Sequence, residues 1–538
     1  MRGNRIDGLR QPMRCPGPHL LGFFLFWCLF VPGRIWAASE GQAAARPGCP
    51  PILDRVQELR LDNGMLFLLL ARHDLPTVAG RVRFRVGSVD CPAGRSGLAH
   101  MFEHMAFKGT DSIGTKDYAR ERVVEDSVSS AGSRLAEEVR RRDQADTTRI
   151  SRLRAELNRL TERQESLSDP NEWPRLYDAY TYLYNAWTSV DFTEYTASLP
   201  ANDLEVWMLM ESERIQRPSM REFYREREVV MEERRQSTED SPEGTAEELL
   251  GALAFTAHPY RLPTIGYMSE IETLTQDDAL AFRKIYYVPG NATGVLVGDF
   301  DPAQAERMIR DYFGDIPAGP LPPEVGTVEP AQKGMRRGTV RQGTEREIMF
   351  AFPGVPPGGR SALVAELLSD VLTFDHTSRL TQRLEIQDKA VRSVSSGRGN
   401  YSRYPGLFEI TATSQEGFTN EQVEALIWEE LDRVVKEPVS ARKLGEIQAS
   451  HRKRYFRGLE TNDGLADALI AAQTIYGDWR RSYEDVATIQ TISPDEVTAL
   501  AHDIFQKDKA TVVYLEPEES PQAGGTDKSL PDAKGGAR

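Results

Sequence analysis

Apolar and polar positions along the chain fall into a series of short periodic stretches, which predict its elements in order. Leu59 to Leu70 holds two apolar runs around Asn63-Gly64, the strongest short hairpin signal. Val82 to Val89 alternates and predicts another strand. Leu98, Met101, Phe102 and Met105 recur at steps of three and four, as in a helix with one buried face. Tyr184 to Thr188 and Phe192 to Leu199 predict paired strands, and Asn202 to Ile215 an amphipathic helix with an Asn cap. Residues 223–235 form a carboxylate-rich helical stretch. A helix at 276–286, a strand at 292–300 and a helix at 302–313 complete the first half.

Residues 116–172 have a different texture. Ile150, Leu153, Leu157, Leu160 and Leu167 mark a coiled-coil-like seam with Arg, Glu and Gln between them. With Leu135 to Arg142 before it and Asp143 to Asp146 as the turn, the stretch predicts a helical hairpin inserted in the first half. It serves either as a solvated decoration or as a partner-docking arm. Residues 317–334 hold five Pro and predict a linker. The second half repeats the style of the first: strands at 345–351, 393–400, 407–413 and 510–515, and helices at 361–373, 419–436, 439–456, 462–475 and 493–506. The expected organisation is α+β and duplicated, with domains at 51–316 and 335–515 and a disordered tail at 516–538.

Composition narrows the class. The 538 residues are 40% hydrophobic and carry a net charge of −15, which argues against nucleic acid as a general partner. Arg2, Arg5, Arg10 and Arg14 precede the apolar run Leu20 to Val31, and small residues follow at Ala37-Ala38-Ser39. This predicts a signal peptide over residues 1–37, a mobile lead-in at 38–50 and no stable membrane span after cleavage. The expected location is periplasmic, with secretion or anchoring by an uncleaved signal as alternatives. Of four Cys, Cys49 and Cys91 would remain, and an oxidising compartment would permit a disulfide between them.

The candidate chemistry lies in His100-Met101-Phe102-Glu103-His104. Positions i, i+3 and i+4 share one helical face, so both imidazoles can reach one zinc ion. Glu103 between them can take a proton from a water on that ion, as in the H-x-x-E-H order. A catalytic zinc ordinarily has a third protein ligand. No further His sits in a carboxylate-rich cluster, and the helix at 223–235 offers Glu226 and Glu233 on one face as metal-facing candidates.

These motifs resemble the pitrilysin/insulinase family of inverzincin metallopeptidases, in its mitochondrial-processing-peptidase-like bacterial branch. The resemblance spans nearly all of residues 52–515. It rests on Leu61 to Gly64, Gly97 to His104, Asn185-Ala186 with Thr193-Glu194-Tyr195, Glu226 to Arg235, His258-Pro259-Tyr260, and Tyr287 to Asn291 leading to Gly298-Asp299. It implies two homologous domains, each a mostly antiparallel sheet with packed helices. It implies one zinc per chain held by His100, His104 and Glu233, Glu226 supporting the site, Glu103 as general base, and Asn185 and Ala186 on an edge that takes extended peptide. The implied activity is that of a zinc metalloendopeptidase acting on short or unfolded polypeptides in a closed chamber. The alternative is a non-catalytic peptide-binding or assembly subunit of the same fold. His104 and Glu233 are 129 residues apart, beyond the usual family spacing, and the helical insert accounts for the excess. The second half departs further. After Ser378-Arg379-Leu380, the positions of the family's substrate-holding Arg and Tyr read Glu385 and Arg392. That implies a heterodimer in which a sister subunit without the zinc motif supplies the clamps; a homodimer or a solitary enzyme is the alternative.

Overall fold

The computed structural model describes residues 52–399 and 401–518. The expected signal peptide, the lead-in, Cys49 and most of the tail lie outside them. In chain order the first half contains β1 (Gln57–Arg60), β2 (Leu66–Ala71), β3 (Thr77–Phe84), α1 (Leu98–Met105), α2 (Tyr118–Arg140), α3 (Thr147–Leu167), α4 (Glu172–Tyr180), β4 (Leu183–Thr188) and β5 (Thr193–Pro200). It continues through α5 (Leu204–Gln216), α6 (Phe223–Arg234), α7 (Pro242–Ala254), α8 (Met268–Ile271), α9 (Gln276–Tyr286), β6 (Ala292–Gly298) and α10 (Pro302–Phe313). The second half contains β7 (Arg336–Arg341), β8 (Glu347–Pro353), α11 (Arg360–Thr373), β9 (Val391–Arg398), β10 (Leu407–Ser414) and α12 (Asn420–Lys436). It closes with α13 (Ala441–Gly458), α14 (Asn462–Tyr476), α15 (Arg481–Ile489), α16 (Pro494–Ile504) and β11 (Thr511–Glu516).

Each half contributes one sheet, ordered β1-β2-β6-β3-β5-β4 and β7-β11-β8-β10-β9. Both are antiparallel except for a single parallel pair, β2 with β6 and β7 with β11. The two topologies superimpose element by element once β1 is set aside. β2, β6, β3, β5 and β4 correspond to β7, β11, β8, β10 and β9. The helices follow in the same order, so α1 corresponds to α11, α6 to α13 and α7 to α14. The series α2 to α4 has no helical equivalent except a π-helical turn at Thr381–Gln387. This is where the sequence predicts an insert, and the first helix runs further toward its N-terminus than the apolar pattern indicated. The alternation at 82–89 also misplaces a strand: β3 occupies Thr77–Phe84, and Ser88–Asp90 is a 3₁₀ turn.

The halves are interlocked by an exchange of helices. Leu66, Leu68, Leu70, Ala79, Val295 and Val297 line one face of the first sheet. That face is covered by Leu465, Ala466, Leu469 and Ile470 of α14, which belongs to the second half. Reciprocally, Ala246, Leu250 and Ala254 of α7 cover Met349, Ala351, Val513 and Leu515 of the second sheet. Arg81 on β3 reaches Asp463 at 2.8 Å and Asp467 at 3.0 Å on α14. Asp191, fully buried, accepts hydrogen bonds from Tyr260 Oη at 2.7 Å and from the Ser402 backbone N–H at 2.6 Å. The Pro-rich linker is pinned along this seam. Glu329 accepts from the backbone N–H groups of Thr256, Ala257 and His258. Burial opposes its charge, but those donors hold its pKa down at about 2.

Leu469 is fully buried against the sheet of the other half. Leu469→Ala should cost about 2–5 kcal/mol and move both halves together in one unfolding transition. Two resolved transitions, with only the second half destabilised, would contradict the interlock.

Candidate metal centre

α1 begins where only glycine fits. Gly97 has φ +80°, and a Cβ there would strike the Ile265 carbonyl. Leu98, Met101, Phe102 and Met105 then bury one face, and Phe102 packs on Tyr287 at 4.2 Å between ring centroids. The opposite side carries His100, Glu103 and His104. The helix stops in a loop wound around Arg221, a fully buried guanidinium. Arg221 donates to the carbonyls of Lys108 at 2.7 Å and Thr110 at 3.1 Å, and pairs with the equally buried Glu121. Arg214 likewise donates to the Ala106 carbonyl and lies 4.3 Å over the Tyr195 ring. Two buried arginines therefore fix the end of α1 against the segments flanking α6. α6 is preceded by Glu222, a non-glycine N-cap residue at φ +60°.

His100, His104 and Glu233 come together, each offering a ligand atom within 4.8 Å of the others. Glu233 Oε1 is 3.6 Å from His100 Nε2, and Oε2 is 3.4 Å from His104 Nε2. Tetrahedral ligands at zinc distances are separated by about 3.3 Å, so two imidazoles and a carboxylate at these separations fit such an ion. Glu226 and Glu233 thus take different places. Glu226 lies behind the cluster, accepting from His104 Nδ1 at 3.3 Å and pairing with Lys108. A carboxylate on the far nitrogen of a ligating imidazole fixes its tautomer and orientation. His100 Nδ1 is buried without such a partner.

The electrostatics follow the packing. Burial and the neighbouring His104 push the His100 pKa down to about 4. Burial also opposes charge on His104, but hydrogen bonds to Glu226 and Glu233 outweigh it and raise the pKa to about 9. The hydrogen bond from His104 lowers the Glu233 pKa. Glu103 is 8% exposed, and burial raises its pKa against the opposing hydrogen bond from Thr188. Thr188 Oγ1 donates to Glu103 Oε2 at 2.6 Å. Neither Thr188 nor Lys108 carried a role in the sequence. Lys108 sits one turn beyond His104, while Thr188 ends a strand whose approach to α1 is purely tertiary.

Asn185 and Ala186 lie on β4, the outer strand of the first sheet, paired with Thr196 and Tyr195 of β5. The other edge of β4 is unpaired by any described strand. Asn185 Oδ1 accepts from the Ala186 N–H. From Trp187 and Thr188 a cavity of about 1410 Å³ extends to Arg398, Tyr401 and Tyr476 of the second half. Glu385 and Arg392 do not line it: Glu385 accepts from the Val394 N–H, and Arg392 pairs with Glu345 at the surface.

In the second half, the helices corresponding to α1 and α6 hold a different set. Glu366 and Asp370 stand one turn apart on α11, and His451 on α13 places Nε2 3.2 Å from each. Burial works against charge on His451, but the two carboxylates raise its pKa to about 9. Arg454 adds a second cation, 3.2 Å from Asp370.

Cys91 is buried with no disulfide partner among the described residues, and burial pushes its thiol pKa up to about 12. No helix among the described residues is long and apolar enough to cross a membrane.

A family model described as Peptidase M16 inactive domain matches residues 273–450, a span beginning after His100, Glu103, His104, Glu226 and Glu233. Zinc protease PqqE of Helicobacter pylori is 24% identical over 450 residues, 81% of this chain and 87% of the relative. Probable zinc protease PqqL of Escherichia coli is 23% identical over 436 residues, 78% of this chain and 40% of the relative. Among solved structures, a protease from Helicobacter pylori matches with a TM-score of 0.73 at 20% identity, covering 86% of this chain and 99% of that one. The periplasmic protease PqqL from Escherichia coli matches at 0.63 and 16%, covering 86% of this chain and 47% of that one. In its duplicated fold, its family match over residues 273–450 and its relatives, the chain is similar to the pitrilysin/insulinase family, peptidase family M16.

Proposed function

We propose that the chain is a zinc-dependent endopeptidase that hydrolyses short or unfolded polypeptides in the cavity between its halves. The observation that carries this is the convergence of His100, His104 and Glu233 beside a buried Glu103. In this reading the three hold one zinc, and Glu226 orients His104. The bound ion would supply Lewis acidity and a water acidic enough to react near neutral pH. Glu103 does the proton work. Its raised pKa suits a group that accepts a proton from water and returns it to the leaving amine. The Thr188 hydroxyl fixes one oxygen of that carboxylate. The open edge of β4 at Asn185 and Ala186 takes the substrate as an added strand through main-chain hydrogen bonds. The cavity exceeds the roughly 300–1,000 Å³ of small-molecule sites, which favours an extended peptide.

A second reading is a peptide-binding or assembly subunit that needs a partner. It is favoured by the inactive-domain match and by Glu385 and Arg392, which are not among the residues lining the cavity. A sister subunit would then complete the site. The relatives' names, and the description of PqqL as periplasmic, support zinc and a periplasmic location.

The purified full chain should carry one zinc and cleave an unstructured peptide until a chelator is added. Zinc without cleavage would favour the partner-dependent subunit, and absence of zinc would overturn both the ligand set and the endopeptidase reading. Glu103→Gln should retain zinc and lose about 10²–10⁴ in kcat; full turnover would remove Glu103 from the proton transfer. Glu226→Gln should weaken zinc binding about 10–100-fold in a competition titration, and an unchanged affinity would reduce Glu226 to a surface partner of Lys108.

A further inference from the structure

The α2–α3 hairpin, which the second half lacks, does not touch the proposed peptide cavity. It roofs a separate one. A cavity of about 590 Å³ lies between both hairpin helices and the back of α6. Its apolar wall is Leu135 and Val139 from α2, Leu157 from α3 and Met231 from α6. Its polar feature is Arg227, only 6% exposed.

Arg227 is under-partnered for a buried cation. Its Nη1 donates to the Leu274 carbonyl at 2.9 Å, and its guanidinium lies 5.1 Å over the Tyr224 ring. Its Nε is buried with no hydrogen bond, and no ion pair of Arg227 occurs among the described residues. Burial lowers its pKa from the usual arginine range, with Glu228 and Glu272 acting only at a distance. The other arginines of the lining have carboxylates of their own: Arg154 is 3.9 Å from Glu272, and Arg225 is 2.7 Å from Glu165. Glu162 and Glu228 are exposed at the rim, where water screens them. The deep charge of the cavity is therefore a cation without a counter-ion, set against apolar walls. Unpaired buried charge is costly, and a pocket with an apolar body and one fixed polar anchor is what small amphiphilic ligands occupy.

We propose that this cavity binds a small organic anion with an apolar body, its carboxylate or phosphate head on Arg227, and that occupation alters metal binding at the opposite face of α6. The coupling rests on the metal reading above. Arg227 adjoins Glu226 in sequence, and Glu233 lies on the same helix. A ligand wedged between hairpin and helix has differential contact with any shift of α6, and its effect on zinc must be matched by zinc's effect on it.

Octanoate, octyl phosphate and neutral octanamide would be titrated calorimetrically into the full-length protein. Octanoate or octyl phosphate should bind, and the stronger of the two identifies the head group. Octanamide, and the better anion with Arg227→Met, should each bind at least about tenfold more weakly, as expected for loss of a charge-assisted contact. Leu157→Trp fills the cavity from the hairpin side, leaves Arg227 in place and should also abolish binding. It serves if Arg227→Met fails to melt cooperatively. Octanamide binding as tightly as the anions, anion binding that ignores both variants, or no binding of either anion would overturn the site. In chelator competition, the bound anion should shift zinc affinity in the wild type and not in Arg227→Met. An unchanged affinity would overturn the coupling. A chain that binds the anion through Arg227 but holds no zinc would instead overturn the metal reading.

Discussion

Neither sheet can cover both of its faces with helices of its own half, and most of the architecture follows from that constraint. β2 and the centre of β6 are apolar on both sides because both sides are buried, and β3 is buried on both sides too, with Arg81 and Arg83 ion-paired on one of them. One face meets α5 and α10, with Gly80 lying against the Trp207 indole where no side chain would fit. The other waits for α14, which the chain delivers only after crossing the linker and building the second sheet. The second sheet depends on α7 in the same way. The linker is held by carboxylates and aromatic residues at the seam because its two ends are committed to opposite partners.

This exchange also determines how the site is held. α7 follows α6 after a π-helical turn at Arg235–Glu239, immediately beyond Glu233. Arg234, buried at that turn, donates to the Gly266 carbonyl and pairs with Glu248 on α7. The helix presenting Glu226 and Glu233 thus leads, through a short capped junction at Asp240-Ser241, into the helix that clasps the other half. At its other end it is held through Arg221 and the loop leaving α1. The polar cluster is positioned by buried charge pairs and a helix junction, rather than by local propensity.

That distinction separates what the sequence made legible from what it did not. His100, Glu103 and His104 share a face through helical periodicity alone, so their proximity could be read directly. The duplication was legible in the recurrence of strand and helix texture. The difference between Glu226 and Glu233 was not, since seven-residue spacing puts both on one face and only the approach of α1 separates them. β3 was misplaced because the alternation was read only from Val82 onward, which leaves Arg81 outside the strand and puts Arg83 at one of its polar positions. Both are buried, Arg83 against Glu194 and Arg81 against Asp463 and Asp467 of a helix nearly four hundred residues away. α14 read as an ordinary helix because an amphipathic pattern does not say which sheet it will meet, and α7 was not read as a helix at all.

The duplication has also left its two copies with a different balance of charge at the same helix pair. In the first half, a carboxylate faces two imidazoles and the space among them suits an ion from solution. In the second, Glu366 and Asp370 are neutralised by His451 and Arg454, cations tethered to the chain. A tethered cation cannot be chelated, diluted or exchanged, and it occupies its place as soon as the chain folds. The second copy is self-sufficient in charge and keeps its helix pairing as a structural joint, while the first, on the reading proposed above, answers to the composition of its surroundings.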